Sequence, residues 1–313
     1  MMDRLTENKL VLITRRTRLT ELIARFNTLE QARFYIEHLG ADFADYQAED
    51  QGYQAAVRAT EHALGRLGRV QALDRAFVPN FIFGPRDTVV VLGQDGLVAN
   101  VLKYLDGQVL IGVNPDPDRI EGVLVPFVPA QLQTLVPAVF AQRRPIRRVT
   151  MAEARLNTGE TLYGVNDLFI GPRSHTSARY RIGIGEREES QSSSGIIVST
   201  GLGSTGWLRS VLTGAQGIAS ALAGHPLGLP APQSFAWDAD YLYFSVREPW
   251  PSRTSTAEIA FGQITASAPL VLQSQMPEGG VIFSDGIESD FVRFNAGARA
   301  TIRVADKQGR LVI

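Results

Sequence analysis

The sequence predicts an α/β domain on a mostly parallel sheet, followed by a second domain rich in β-strands. Three observations carry this. Apolar runs such as Val89-Val90-Val91-Leu92 do not alternate, as expected of strands covered on both faces. Helix-periodic stretches lie between those runs, and alternating strands and helices argue for a parallel sheet. Beyond about Arg143, short stretches instead alternate apolar with polar or glycine positions, the half-buried strand pattern.

Taken in order, Lys9 to Thr14 reads as a buried strand. Thr28 and Gln31 have capping-box spacing, Leu29, Ala32, Ile36 and Leu39 lie near one face, and Gly40 closes that helix. A second helix spans about Gln51 to Leu67, with Ala55, Ala59 and Ala63 at four-residue steps. The strand Thr88 to Leu92, a helix from Leu97 to Leu105 and the strand Val109 to Val113 follow. Asn114-Pro115-Asp116-Pro117 then stops regular structure. In the second half, Ala178 to Ile184, Tyr241 to Val246 and Val281 to Phe283 read as strands. Asn157-Thr158-Gly159-Glu160 reads as a hairpin turn, and one helix runs from about Thr205 to Leu222. The expected domains are residues 1–123 and 124–313, with the final strands as candidates to pack back on the first. The best-placed binding cleft lies between the two.

Composition narrows the function. The 313 residues suffice for two cores, and 44% hydrophobic with 20% charged residues describes an ordinary globular chain. A formal net charge of −1 provides no global field for nucleic acid. The dense basic run Arg143-Arg144 with Arg147-Arg148 reads first as a solvated linker edge. Cysteine is absent, which excludes thiolate chemistry, and His38, His62, His175 and His225 are too scattered to suggest a metal site. No apolar run reaches membrane-spanning length and no signal core opens the chain, so the expectation is a cytoplasmic protein without membrane contact.

Four segments carry candidate chemistry. Gly93-Gln94-Asp95-Gly96 joins a buried strand to a helix, presenting a carboxylate beside backbone N–H groups suited to phosphate. Asp95 would repel a bare phosphate, so it suits a hydroxyl beside one, or Mg²⁺. A D-G pair after a strand is equally an ordinary turn. Asn114 lies just past a strand end, the edge on which α/β sheets bind ligands. Asn166-Asp167 pairs an amide with an acid, suited to ribose hydroxyls or a base edge, or to a plain turn into a strand. Finally, Ser199-Thr200-Gly201-Leu202-Gly203-Ser204-Thr205-Gly206-Trp207 again runs from strand to helix, which could be a capped helix with Trp207 packed in the core. Its glycines exceed what a helix cap needs, which favours ligand contact, with Trp207 able to stack on a ring. Arg247 and Arg253 are open between a salt-bridged loop and a phosphate contact.

Together these segments, with the late Asp285-Gly286, resemble the ordered motifs of NAD kinases. The divergent, mitochondrial-type branch is most similar, through GVNPDPDRIEG at 112–122, VNDLFIG at 165–171, SSGIIVSTGLGS at 193–204 and FSVREP at 244–249. The resemblance implies an NAD kinase-like fold and transfer of the ATP γ-phosphoryl group to the adenosine-ribose 2′-hydroxyl of NAD, with Mg²⁺. It implies that Asp95 orients and deprotonates that hydroxyl. Gly93, Gln94 and Gly96 would then line the phosphate path. Asn114, Asn166, Asp167, Thr200, Gly203, Ser204, Thr205, Trp207 and Asp285 would hold the dinucleotide. It also implies a homo-oligomer.

Gln94 stands where the family has glycine, and Leu97 where it has a hydroxyl. Gly206, Trp207, Ser194 and Ile287 are milder departures. The alternative is therefore an NAD-binding module with an altered phosphoryl-donor subsite. A lipid kinase with a similar acidic turn ranks lower, because residues 193–207 are too polar for acyl chains.

Overall fold

The computed structural model describes residues 5–228 and 234–313. These form two compact units, one running to Arg147 and including Gly309–Ile313, the other Arg148–Gln308. The first is a mostly parallel α/β unit and the second an antiparallel β unit, the two fold classes that the sequence predicts.

In the first unit the order is β1 (Lys9–Thr14), α1 (Arg18–Phe26), α2 (Leu29–His38), α3 (Phe43–Gly65), β2 (Arg69–Asp74), β3 (Thr88–Leu92), α4 (Asp95–Leu102), β4 (Val109–Val113) and α5 (Leu132–Phe140). The strands lie side by side as β2-β1-β3-β4, all parallel, and Arg310 and Leu311 at the chain end extend β4's far side in the same direction. Leu10 to Ile13 and Val89 to Leu92 are fully buried, which is why these strands need apolar side chains at successive positions. Leu12, Val90 and Ile111 pack with Leu64 of α3 and with Leu132, Val136 and Val139 of α5. Through α5 this core extends beyond position 123, and the unit ends at Arg147.

Side-chain caps set the starts of α1, α2 and α3. The Thr28 hydroxyl accepts from Gln31 N–H at 3.1 Å, as the spacing predicts. Helix α3 begins well before Gln51 because the Asp42 carboxylate accepts from Ala44 N–H at 2.8 Å. Helix α1, which the apolar periodicity does not reveal, is capped by Thr17 and packs Leu19 against Ile36 and Phe43. Helix α4 starts at Asp95 rather than at Leu97.

The second unit comprises β5 (Ile146–Leu156), β6 (Thr161–Gly164), β7 (Asp167–Pro172), β8 (Ala178–Ile184), β9 (Arg187–Ser193), β10 (Ile196–Ser199), α6 (Trp207–Ala223), β11 (Leu242–Val246), β12 (Phe261–Ile264), β13 (Leu270–Ser274), β14 (Gly280–Ser284), β15 (Phe291–Arg293) and β16 (Arg299–Val312). β5 begins two residues before this unit, and the last residues of β16, from Gly309, belong to the first. One sheet runs β12-β11-β10-β7-β14-β15. The other runs β16-β13-β8-β9, with β5 beside both β16 and β6. Leu168, Ile170, Val198, Phe244 and Ile282 from the first sheet meet Tyr180, Ile182, Leu272 and Ile302 from the second in a single core. The hairpin at 157–160 is present, with Gly159 at φ +94°.

Candidate functional site: two strand-to-helix turns

In the first unit the connection from β1 leads to one side of the sheet and that from β3 to the other. The topological switch point therefore falls between the carboxyl ends of β1 and β3, where such sheets bind ligands. The turn after β3 carries Gly93, Gln94, Asp95 and Gly96. Gln94 is exposed at the helix cap, and its carbonyl accepts from Leu97 N–H at 2.9 Å and Val98 N–H at 3.3 Å. The Asp95 carboxylate accepts backbone N–H groups from Val123 at 3.0 Å and Leu124 at 2.8 Å, one on each oxygen.

Asn114 shapes the loop that returns to this acid. Its amide oxygen accepts from Asp116 N–H at 2.9 Å, and its amide nitrogen donates to the Ile120 carbonyl at 2.8 Å. The side chain is buried, and both ends of its amide serve the loop. Leu97 is buried too: a Cβ on Gly93 would lie 2.7 Å from its side chain. Gly96 differs from Gly93. It is exposed, and a Cβ there would meet nothing within 4 Å. Among the described residues, nothing packs where a side chain at position 96 would begin.

In the second unit a distant acid organises the site. Asp285, at φ +56°, accepts from the backbone N–H groups of Val165 (2.9 Å), Asn166 (2.7 Å) and Asp167 (3.3 Å). Burial, and then the charge of Asp285, push the Asp167 carboxyl up to about 7. The Thr200 hydroxyl donates to the Val165 carbonyl at 2.5 Å and accepts from Gly203 N–H at 3.2 Å. The Ser204 hydroxyl donates to the Gly201 carbonyl at 2.7 Å and accepts from Phe235 N–H at 3.3 Å. Both hydroxyls are buried and engaged with backbone, whereas Thr205 is exposed. A Cβ on Gly201 would lie 1.8 Å from the Ala236 carbonyl oxygen, and one on Gly203 would lie 2.0 Å from that of Asn166. The internal approach of backbone to backbone thus accounts for both glycines.

No side chain caps α6, whose cap residue Gly206 adopts φ −97° and ψ −116°. The Trp207 ring stacks on Phe169 (5.8 Å, 10° between planes), and the Arg247 guanidinium lies 5.6 Å over it. Phe169 in turn stacks on Phe283 at 4.9 Å.

The structure therefore gathers Asn166, Asp167, Thr200, Gly203, Ser204 and Asp285 in the second unit, and Gly93, Gln94, Asp95, Gly96 and Asn114 in the first. The sequence reading passes over Val123 and Leu124, which hold Asp95, and Phe169, which supports Trp207. Backbone N–H groups leave no trace in residue identity, so Val123 and Leu124 carried no signal. Phe169 lay within the VNDLFIG segment but reads there as an ordinary strand residue.

Among the described residues no group of three or more histidine or acidic side chains could hold a metal ion, and no helix is long and apolar enough to cross a membrane. Mg²⁺ is usually bound through one or two carboxylates plus substrate phosphates, with no dedicated protein cage. Asp95 fits that limited demand, since each of its oxygens accepts one N–H group and retains a lone pair.

The chain is similar in structure to an NAD kinase from Archaeoglobus fulgidus solved in complex with ATP. The TM-score is 0.54 at 17% identity, and the match covers 82% of this chain and 89% of that one. This likeness establishes a shared fold. No protein-family model matches the sequence, and no curated protein matches it.

Proposed function

We propose that the protein is an NAD kinase-like phosphotransferase, moving the ATP γ-phosphoryl group to the adenosine-ribose 2′-hydroxyl of NAD. The observation that carries this reading is the Asp95 turn. It sets an acid at the start of α4, braced by Val123 and Leu124 N–H groups, beside the open surface of Gly96. The order of the sequence motifs and the fold shared with an NAD kinase support it.

In this reading the Asp95 carboxylate accepts the proton of the 2′-hydroxyl and aims its oxygen at the γ-phosphorus. Phosphoryl transfer passes through a loose transition state, so positioning counts for more than base strength. Gly96 and the first N–H groups of α4 approach the phosphates, and bound Mg²⁺ supplies charge neutralisation there. The backbone clamp of Asp285 holds Asn166 and Asp167 for the dinucleotide, with Thr200, Gly203 and Ser204 shaping the turn behind them. Trp207 and Arg247 offer an aromatic and cationic surface to the ligand. A homo-oligomer in the cytoplasm accompanies this reading, and light scattering of the purified chain tests the assembly.

One observation favours a second reading. Gln94 projects at the cap and Leu97 is turned into the core, so the hydroxyl donor usual in the family is missing. The protein would then be an NAD-binding module without transfer. Incubation with NAD, ATP and Mg²⁺ and assay for NADP separates the two. NADP formation that Asp95→Asn abolishes supports the kinase; NAD binding without turnover supports the module.

A further inference from the structure

We infer that the outer face of the β16-β13-β8-β9 sheet in the second unit carries a site for a short organic dianion, two carboxylates joined by an aliphatic chain. A cavity of about 550 Å³ opens on that face, lined among others by Arg181, Gly183, Arg187, Val271, Gln273 and Arg299. That volume is within the range of small-ligand sites. The strand register builds it. Gln273 of β13 pairs with Arg181 of β8 on one side and with Arg299 of β16 on the other, so two arginines flank one amide in a row across the sheet. Neighbouring strands lie about 4.8 Å apart, which sets the two arginine backbones about 10 Å from each other. The next row on the same face is Thr301, Val271 and Gly183. These positions alternate with Ile182, Leu272 and Ala300 of the core, so both rows look outward.

Among the described residues nothing crowds a Cβ at Gly183: its nearest neighbours would lie 3.6 to 3.9 Å away, at ordinary contact distance. Glycine inside a strand weakens it and often marks the close approach of a ligand. Beside Val271 it gives the cavity a low, apolar floor between the arginine row and the turn at Gly185-Glu186. Arg299 is exposed and makes no ion pair among the described residues. Asn157 fixes its backbone, its side-chain oxygen accepting the Arg299 N–H and its own N–H donating to the Arg299 carbonyl, both at 2.9 Å. Arg181 meets Glu188 through Nε at 3.1 Å, which leaves its terminal N–H groups for a ligand, and Arg187 donates to the Glu258 carbonyl at 2.9 Å. Glu186 and Glu188 also line the cavity, and the three arginines outweigh them. One carboxylate on Arg299 and a second on Arg181, with methylenes between them over Val271 and Gly183, match both the charge and the floor, since a guanidinium holds a carboxylate by paired hydrogen bonds. The site shares no residue with those assigned to NAD or ATP, and it stands whether or not the protein transfers phosphate.

The test is calorimetric titration of the whole chain with sodium glutarate at fixed ionic strength, for the wild type, Arg299→Glu and Gly183→Val, with butyrate and inorganic phosphate as comparison probes. Glutarate should bind the wild type, and Arg299→Glu should weaken it roughly 10- to 100-fold, as the loss of a charged hydrogen-bonded contact predicts. Gly183→Val fills the floor and should also weaken glutarate, while Tm holds or rises because valine suits a strand. Butyrate, with one carboxylate, and phosphate, with no aliphatic chain, should each bind about 10-fold more weakly or worse. Absence of glutarate binding to the wild type, or wild-type affinity in either variant, overturns the site. Butyrate binding as tightly as glutarate overturns the span between two arginines, and phosphate doing so overturns the role of the apolar floor.

Discussion

The two glycine-rich turns look alike in sequence and differ in structure. Each joins a buried strand to a helix. In the turn after β10, Gly201 and Gly203 are pressed against carbonyl oxygens of the same chain. In the turn after β3, Gly96 is open to solvent with no neighbour within 4 Å of a Cβ. The first set of glycines is required by packing. In the second, Gly93 is closed off by Leu97, and Gly96 leaves room for something outside the protein. A glycine therefore marks close approach, and only burial tells whether the approaching group is internal.

The sharpest way to break this contrast is Gly203→Ala. Its Cβ would meet a backbone oxygen at 2.0 Å, so the second unit should lose its cooperative unfolding transition or be destabilised by about 3 kcal/mol or more. Calorimetry checks this, and a near-normal melting profile would refute the packing account.

Asp95→Asn comes next. It should lower kcat for NADP formation by roughly 10²–10⁴-fold while NAD affinity holds. Equal losses of affinity and turnover would demote Asp95 from base to brace. Asp285→Asn should act through position. With one carboxylate oxygen exchanged for an amide, the N–H groups of residues 165–167 lose acceptors, at a cost of about 1–3 kcal/mol. The KM for NAD should rise more than kcat falls.

Asp167→Asn tests the electrostatics. The Asp167 carboxyl is raised to about 7 in the folded chain, against roughly 3.9 unfolded. The unfolded state therefore releases its proton first. The contribution of this group to stability is fully present below about pH 4, declines as pH rises, and is lost above about pH 7. Removing the charge should raise Tm at pH 8 by about 2–4 °C and flatten that decline. An unchanged slope would show that the pair is screened by solvent. The smallest change is Gly96→Ala, expected to stabilise α4 by about 0.5–1 kcal/mol while raising the KM for ATP. Improved stability with unaltered ATP use would remove the argument from its open surface.

The strands Lys9–Thr14, Thr88–Leu92 and Val109–Val113 were legible end to end because nearly all of their positions are buried, and an uninterrupted apolar run records that directly. Helix α1 was not legible, since its packing rests chiefly on Leu19 with partly buried neighbours. β16 was hidden by charged residues such as Arg303, Asp306 and Lys307 along its length. In the site, Asp95 and the Asn166-Asp167 pair stood out by residue type and place. The reach of Asp285 across 120 positions to Val165 did not, because it depends on β14 pairing with β7. The embedding of Thr200 and Ser204 was hidden for the same reason: a hydroxyl looks available until its carbonyl partner is known.

Asp95 has a double attachment with a practical result. A carboxylate that engages a ligand while fastening Val123 and Leu124 passes any change in its own hydrogen bonding to those two amides. Their deuterium uptake becomes an internal gauge of occupancy at the acid, readable in a protein that carries no cysteine for a conventional label.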